Sequence, residues 1–508
     1  METSSPNYIK IDPADNVAVM LKDTEAGIAI TEKIMSRAVI PAGHKIALET
    51  IKIDSPVVKY GQVIGVAAHA IRPGEHVHTH NLKMCAPESP LPRKKDPETS
   101  PSLPANIRKT FHGILRASGK AGTRNYIGVL SSVNCSASVA RFIADHFTKD
   151  RLQAFKNIDG VVALPHGMGC GDSTGSQGFQ NLQRCLAGFA GHPNFGAVLL
   201  VGLGCEVLQV DPFAADLFTR SNIGINTLNI QDLGGTKKTV AQGVRLIDEM
   251  LPEVNRIDRQ PLPLSHLTLG LECGGSDAFS GLTANPSLGV AVDLLVAGGG
   301  TAVLGETTEI YGTEQFLARR AVTPAVGQKI IERVQWWENY TRINASEINN
   351  NPSPGNKAGG LTTILEKSLG AVAKGGSTPL MAVYPYASQV HSKGLVFMDT
   401  PGYDPVSITG MIAGGANMIC FTTGRGSVLG GKPVPVIKLA TNSSMYTRMV
   451  DDMDIDCGPI VDGQATVQEM GRLIYDHIID CASGRPTKSE KLGIGDLEFV
   501  PWQIGAVL

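Results

Sequence analysis

Long apolar runs, paired cysteines and a surplus of either charge are all missing from this chain. No apolar stretch reaches the ~20 residues that a membrane span needs, which argues against an integral membrane protein. The segment Met1–Asn16 has neither the basic start nor the apolar middle of a secretory leader. Lys and Arg number 45 against 47 Asp and Glu, so no bulk field draws the chain to nucleic acid or to an anionic bilayer. The nine cysteines include no CxxC pair, which excludes zinc-ribbon and thioredoxin readings. An odd number of cysteines without an export signal is the pattern of reduced thiols in the cytoplasm.

Three catalytic signatures also fail. Gly426-Ser-Val-Leu-Gly-Gly431-Lys432 has the spacing of a phosphate loop, but Pro433 stands where a magnesium-binding hydroxyl is required. Gly202-Leu-Gly204 lacks the third glycine of a dinucleotide fingerprint. No GxSxG nucleophile elbow occurs.

What the chain does contain is a repeated grammar of short apolar runs breaking into glycine and polar residues. A length of 508 residues suggests two to four domains. The 57 glycines fit an α/β protein with many strand-to-loop turns. The central example is Leu267–Pro286, where Leu267-Thr-Leu-Gly-Leu271 runs into Glu272, Cys273, Gly274, Gly275, Ser276 and Asp277. Such a run reads as a buried strand, and ligands of open α/β sheets bind beyond the carboxyl ends of the strands. Tyr126–Leu130 leads likewise to Asn134 and Cys135, and Val161–Leu164 to His166, Cys170 and Asp172. Ala197–Val201 leads to Cys205 and Glu206, and Met418–Phe421 to Thr423, Gly424, Arg425 and Gly426. Four cysteines, Cys135, Cys170, Cys205 and Cys273, thus follow predicted strands. Cys85, Cys185, Cys420, Cys457 and Cys481 read as small buried hydrophobes.

The pattern divides the chain. Residues 8–85 are short apolar runs between Asp, Gly and Pro turns, a small β-rich domain. Residues 86–108 carry six prolines among charged residues, an extended linker. Residues 109–258 alternate strand and helix patterns, and Val240, Val244, Ile247 and Leu251 predict a helix over Thr236–Val254. Arg259–Pro263 marks a boundary, and residues 265–508 form a second α/β unit with strands at 267–271, 301–304, 379–383, 418–421 and 434–439. The polar stretch 349–360 reads as a loop that is functional or merely a crossing.

Three histidines stand out in the β-rich unit. His76, His78 and His80, spaced by two, share one face of a strand, where imidazoles can bind a metal. Against that, positions i, i+2 and i+4 diverge too far for one ion to take all three easily, and a solvated strand is the alternative. His44, in a Pro-Ala-Gly turn, reads as a turn cap or as a general base.

Taken together, Gly43-His-Lys45, Lys59-Tyr-Gly61, Gly122-Thr-Arg-Asn125, Gly202-Leu-Gly-Cys-Glu206, Glu272–Pro286, Asn351–Gly360 and Thr423-Gly-Arg-Gly426 resemble the altronate/galactarate dehydratase family over nearly the whole chain. The resemblance implies an α/β fold class with a small N-terminal β-clip (SAF-like) domain. The proline-rich linker then joins it to a large α/β catalytic body of two Rossmann-like units. It implies dehydration of a hexonate or hexarate that depends on iron(II), with manganese(II) as the alternative ion. It implies a small-molecule sugar acid as the partner, with neither nucleic acid nor membrane, and a homo-oligomer. The segments HVHTHN (76–81), AGGLTT (358–363) and KLATN (438–442) lean to the altronate branch, whereas Ser427–Gly430 departs from the Thr-Pro-Tyr-Gly of familiar members.

Dehydration of a 2,3-dihydroxy acid removes the proton α to the carboxylate and expels the 3-hydroxyl. The enediolate and the leaving hydroxide both need a fixed positive charge. His44, beside Lys45, or His166 is the candidate base. Cys135, Cys170, Cys205 and Cys273, with His166, Glu206 or Glu272 nearby, are the candidate iron ligands, because thiolate and imidazole suit iron. Arg425 and Lys357 are candidates for the substrate carboxylate, with Ser276, Asp277 and Asn356 as further binding residues. A sugar-acid binding protein without turnover is the second reading. A lyase expelling sulfite is the third, disfavoured because that activity is usually split between two chains. The iron reading predicts turnover that requires ferrous ion and a reductant and disappears on chelation; full activity in chelated protein would contradict it.

Overall fold

A computed structural model describes residues 7–86, 109–221 and 225–505. The expected linker, apart from Ala86, lies outside the described residues.

The N-terminal unit is all β. Strands β1 (Tyr8–Ile9), β2 (Val17–Met20), β5 (Lys45–Ala47) and β8 (His76–Val77) form one antiparallel sheet, and β3 (Ala29–Thr31) and β4 (Ile34–Met35) form a ribbon. A third sheet is β6 (Pro56–Lys59), β7 (Gln62–Ala67) and β9 (Leu82–Lys83). Val17, Val57, Ile64, Ile71 and Val77 make its core. Strands this short arise because Asp, Gly and Pro interrupt every apolar run.

The next unit holds β10 (Thr110–Leu115), β11 (Ala121–Gly122) and a parallel sheet of β12 (Tyr126–Ser131), β13 (Gly160–Leu164), β14 (Phe195–Gly202) and β15 (Ile225–Asn229) in the order 13-12-14-15. Helices α1 (Asn134–Asp145), α2 (Gln177–Ala190), α3 (Val210–Ser221) and α4 (Thr236–Val254) alternate with these strands. The 3.6-residue periodicity of α4 holds, with Ile247 and Leu251 buried. The segment after Arg259 is not a free connection: β16 (Gln260–Pro263) pairs antiparallel with β10.

The C-terminal unit is a seven-stranded parallel sheet. Its strands are β17 (Thr268–Cys273), β18 (Thr301–Leu304), β19 (Leu380–Tyr384), β20 (Gly394–Met398), β21 (Met418–Thr423), β22 (Val436–Ala440) and β23 (Ile455–Asp456), ordered 19-20-18-17-21-22-23. Strand order reverses at β17, which pairs with both β18 and β21, so a ligand crevice is expected beyond Cys273 and Thr423. Helices α5 (Ala284–Ala297), α6 (Glu314–Arg319), α7 (Pro324–Ile343), α8 (Pro354–Ala358), α9 (Ile364–Ala371), α10 (Asp404–Ala413), α11 (Ser443–Arg448), α12 (Val467–Ala482) and α13 (Lys488–Leu492) complete it. The two parallel sheets share one apolar core, in which Phe189 and Phe195 lie with Ile408, Phe421 and Trp502. Strand β20, GLVFM, is one that the sequence reading did not include.

Stretch 349–360 is ordered as a 3-10 turn and helix α8. Its end fits against the N-terminal unit through two glycines. Gly360 has φ +95°, and a Cβ there would lie 2.5 Å from the Gly43 carbonyl oxygen. Only a residue without a side chain tolerates both the left-handed conformation and that approach. Gly360→Ala is expected to cost about 1–3 kcal/mol and to expose the N-terminal unit to protease, measured by urea midpoint and limited proteolysis.

Candidate active site

The densest imidazole cluster forms where the N-terminal unit meets the turn after α8. Strand β8 pairs antiparallel with β5, placing Lys45 opposite Val77 and Ile46 opposite His76. Continuing that register sets His44 across from His78, and their rings lie 4.8 Å apart. His76 and His78 stack at 5.4 Å, as the two-residue spacing requires. One nitrogen each of His44, His76 and His78 lies within 4.8 Å of the other two. The third ring therefore comes from the neighbouring strand; His80 is exposed and stands outside the trio.

The protonation of the trio follows from its hydrogen bonds. His44 is 6% exposed. Its Nε2–H donates to the Ala358 carbonyl at 3.2 Å, which leaves Nδ1 as a lone pair facing His76 Nε2 at 2.9 Å. His78 Nδ1 is buried without a partner among the described residues. Burial, and then the neighbouring imidazoles, hold His76 down to about 3. Burial, with Lys45 and His44, holds His78 down to about 4. Three neutral nitrogens converge, one fixed by a backbone carbonyl and one otherwise orphaned. That is the donor set and the supporting hydrogen bond that a first-row divalent metal takes.

Beside the trio lies a buried charge group. Glu366, from α9, accepts from Lys45 Nζ at 2.8 Å and from Lys59 Nζ at 2.8 Å. It also accepts the Thr362 N–H and hydroxyl. Lys45 Nζ additionally donates to the Gly360 carbonyl at 2.7 Å. Two ammoniums around one carboxylate leave a surplus positive charge. Burial, opposed by Glu366, holds Lys45 down to about 8, and the two lysines hold Glu366 well below the ordinary carboxylate range despite its burial. Lys45 and Lys59 belong to one domain and Glu366 to another, so the group fastens the seam beneath the trio.

On the other side of the 358–360 turn is the Arg425 side chain. A Cβ at Gly359 would lie 3.3 Å from Arg425 Cδ and 2.9 Å from Asp277 Cβ. Arg425 is exposed and Lys357 half-buried, and neither is ion-paired with any described residue. Arg425 is set by its N–H bond to the Gly275 carbonyl at 2.8 Å.

The structure corrects several sequence assignments. His166 is not available as a base: Nε2 bonds the Ser131 carbonyl at 2.8 Å and Nδ1 accepts the Met168 N–H. Lys45 is an anchor, because its ammonium is held by Glu366 and Gly360. Asp277 is caged by donors from Phe279, Ser280, Thr441 and Asn442, and it ties the ends of β17, β21 and β22 together. Asn356 is the N3 member of the α8 capping box and also donates to the Ser276 carbonyl; Ser276 is buried beside it. Glu206 accepts from Ser132, Leu203 and Gly204, closing its own loop.

The thiols do not form one ligand set. Cys135, Cys170 and Cys205 are exposed at the carboxyl ends of the four-stranded sheet, whereas Cys273 is buried in the seven-stranded one. Its Sγ lies 3.2 Å from Glu309, and burial and Glu306 push the thiol well up, so it is not a thiolate. Sequence reasoning missed the pairing of His44 with His76 and His78, and it missed Glu366, Glu306, Glu309 and Asp404. Glu366 lies three residues after the AGGLTT segment and Lys59 opens Lys-Tyr-Gly, so a signal existed, but not its pairing.

Comparison with known proteins agrees with this architecture. Residues 6–85 match the altronate/galactarate dehydratase SAF domain, residues 113–255 the second domain of D-galactarate dehydratase/altronate hydrolase, and residues 264–507 the D-galactarate/altronate dehydratase C-terminal domain. The chain is 36% identical over 507 residues to galactarate dehydratase (L-threo-forming) of Escherichia coli K12, covering 97% of this chain and 96% of that protein. It is 34% identical over 488 residues to altronate dehydratase of Bacillus subtilis 168, covering 96% and 97%. It is 36% identical over 488 residues to altronate dehydratase of E. coli K12, covering 95% and 97%. No described helix is long and apolar enough to cross a membrane.

Removing the carboxylate of Glu366 leaves two buried ammoniums facing each other. Glu366→Gln is therefore expected to lose about 3–5 kcal/mol of stability, measured by denaturant unfolding.

Proposed function

The chain belongs to the D-galactarate/altronate dehydratase family and is a hydro-lyase, and from that premise we propose that it removes water from D-altronate to give 2-keto-3-deoxy-D-gluconate. The observation that carries the reading is the convergence of His44, His76 and His78 on one side of the 358–360 turn, with Arg425 on the other. The HVHTHN segment favours altronate over galactarate, which is the alternative substrate.

The three imidazoles suit iron(II), with manganese(II) as the substitute. When bound, such an ion supplies Lewis acidity for loss of the 3-hydroxyl and positive charge beside the enediolate. The remaining work falls to the side chains. Arg425 grips the substrate carboxylate with its planar fork and Lys357 adds a second cation. These charges draw electron density from the α-carbon and make its proton easier to remove. His80, next to the trio but outside it, is the imidazole left to take that proton. The Ala358 carbonyl fixes the His44 tautomer, and the Lys45–Glu366–Lys59 group keeps the two walls of the site in register.

The test is anaerobic turnover with ferrous ion on D-altronate, galactarate, glucarate and other aldonates in parallel, following 2-keto-3-deoxy acid formation. D-Altronate is expected to respond most strongly. A stronger response to galactarate replaces the substrate, and tight binding without turnover replaces the reaction with a binding function. His76→Ala is expected to lose both metal and activity. His80→Ala should retain metal but lose about 10²–10⁴-fold in kcat. Arg425→Ala should raise KM by about 10–100-fold, the loss of a charge-assisted contact of about 1.5–3 kcal/mol.

A further inference from the structure

Three thiols have no part in the site described above, and the fold collects them at one place. Among the described residues Cys135, Cys170 and Cys205 are the exposed cysteines; Cys185, Cys273, Cys420, Cys457 and Cys481 are buried and Cys85 is half-buried. An exposed free thiol is open to oxidation, so three on one surface call for a reason. They follow β12, β13 and β14, which are parallel neighbours with β12 in the centre. Adjacent strands lie ~4.8 Å apart, so the three loops leave the sheet side by side at one end.

All three loops are tied to one turn, Ser132–Asn134, which joins β12 to α1. The Asn134 N–H donates to the Met168 carbonyl at 2.9 Å and its Nδ2 to the His166 carbonyl at 3.1 Å. A Cβ at Gly169 would lie 2.7 Å from the Ser132 carbonyl oxygen. From the other side, the Ser132 hydroxyl donates to Glu206 Oε1 at 2.6 Å. Cys135 adjoins Asn134, Cys170 adjoins Gly169 and Cys205 adjoins Glu206. Each thiol thus stands one residue from a contact on the same turn.

The nearby oxygen and nitrogen ligands are engaged elsewhere. Glu206 closes its own loop, and His166 is held through both ring nitrogens. Asp172 accepts the Gly169 N–H at 3.0 Å. Sulfur is left as the donor type, and the surroundings favour its anionic form. Helix α1 has neither a side-chain N-cap nor an acidic residue in its first turn, where Cys135 lies. Gln231 Nε2 donates to Cys205 Sγ at 3.7 Å. Spacing then selects the kind of centre. One ion holding three thiolates at ~2.3 Å needs sulfurs about 4 Å apart. Among the described residues, the groups whose ligand atoms all lie within 4.8 Å are the imidazole trio and two at the end of β17; the three sulfurs are spread more widely.

We propose that Cys135, Cys170 and Cys205 hold an iron–sulfur cluster of the four-iron type, in a site separate from the histidine trio. An all-thiolate set selects such clusters, and a core of several metal ions spans a gap that a lone ion does not. Three cysteines leave one iron without a protein ligand, and their exposure puts that iron on the solvent side.

The experiment is anaerobic reconstitution of the reduced, chelator-stripped full chain with sulfide and equal parts ferrous and ferric ion, so that the core forms without a further oxidant. After gel filtration, bound iron, acid-labile sulfide and the sulfide-to-iron charge-transfer absorption are measured. The proteins are wild type, His76→Ala, and His76→Ala combined with Cys135→Ala, Cys170→Ala or Cys205→Ala. His76→Ala is expected to retain about four irons with matching sulfide, and each cysteine substitution to abolish the absorption while leaving the urea midpoint of the stripped protein unchanged. Absence of labile sulfide from both wild type and His76→Ala would overturn the proposal. So would iron bound without sulfide, or sulfide that the cysteine substitutions leave in place, an adventitious iron sulfide only. Loss of the cluster from His76→Ala but not from wild type would overturn the separation of the two sites. A silent substrate panel would leave these results unaffected, because reconstitution needs no turnover.

Discussion

The carboxylate of Glu366 between Lys45 and Lys59 is the contact on which the candidate site depends. All three groups are removed from water, and each would be strongly unfavourable alone. Together they join a strand end and a hairpin of the N-terminal unit to a helix of the C-terminal unit. A hydrophobic seam tolerates small slips; a buried charge group of this kind does not, because an ammonium displaced by an ångström is left without its partner. The histidine trio sits one residue from Lys45, so the precision of the seam passes directly to the imidazoles. Gly43 and Gly360 let the two backbones approach closely enough for it to form.

Helix α9 has a second role, set by two adjacent residues. Glu366 faces the N-terminal unit, while Lys367 reaches Glu309 at 2.6 Å and Asn351 at 2.7 Å. Successive helical positions point about 100° apart, so one short helix serves two buried charge groups. The lysine-rich group lies under the imidazoles; the carboxylate-rich group, with Lys367 and Lys374, lies at the end of β17. This division keeps the imidazole group and the carboxylate group apart, in contrast to the single thiolate-rich centre that strand-end cysteines suggested.

The strands were readable because buried parallel strands are short apolar runs ended by glycine, and Thr301–Leu304 and Met418–Phe421 show how directly that pattern translates. Strand-end positions were readable too, and with them the places of Cys273 at the end of β17 and Arg425 just after β21. The roles of individual polar side chains were not. Asp277, Asn356, Glu206 and His166 have the residue types of catalytic groups, but each has its hydrogen-bonding capacity taken up by nearby backbone or side-chain donors and acceptors. A carboxylate that closes a loop and one that awaits a ligand look the same in sequence, since the difference lies in which donors surround it.

By itself the sequence determined the α/β class, the small β-rich unit ahead of it, the family and its dehydratase chemistry. Those follow from local pattern and from long motifs, which need no knowledge of distant contacts. Tertiary structure alone decided that His44 joins His76 and His78 while His80 does not. It likewise decided that Lys45 serves Glu366, more than 300 residues away, and that four strand-end cysteines fall on two different sheets. These outcomes depend on strand register and domain docking, in which residues remote in the chain become neighbours because burying their charges and apolar faces together is more favourable than hydrating them apart.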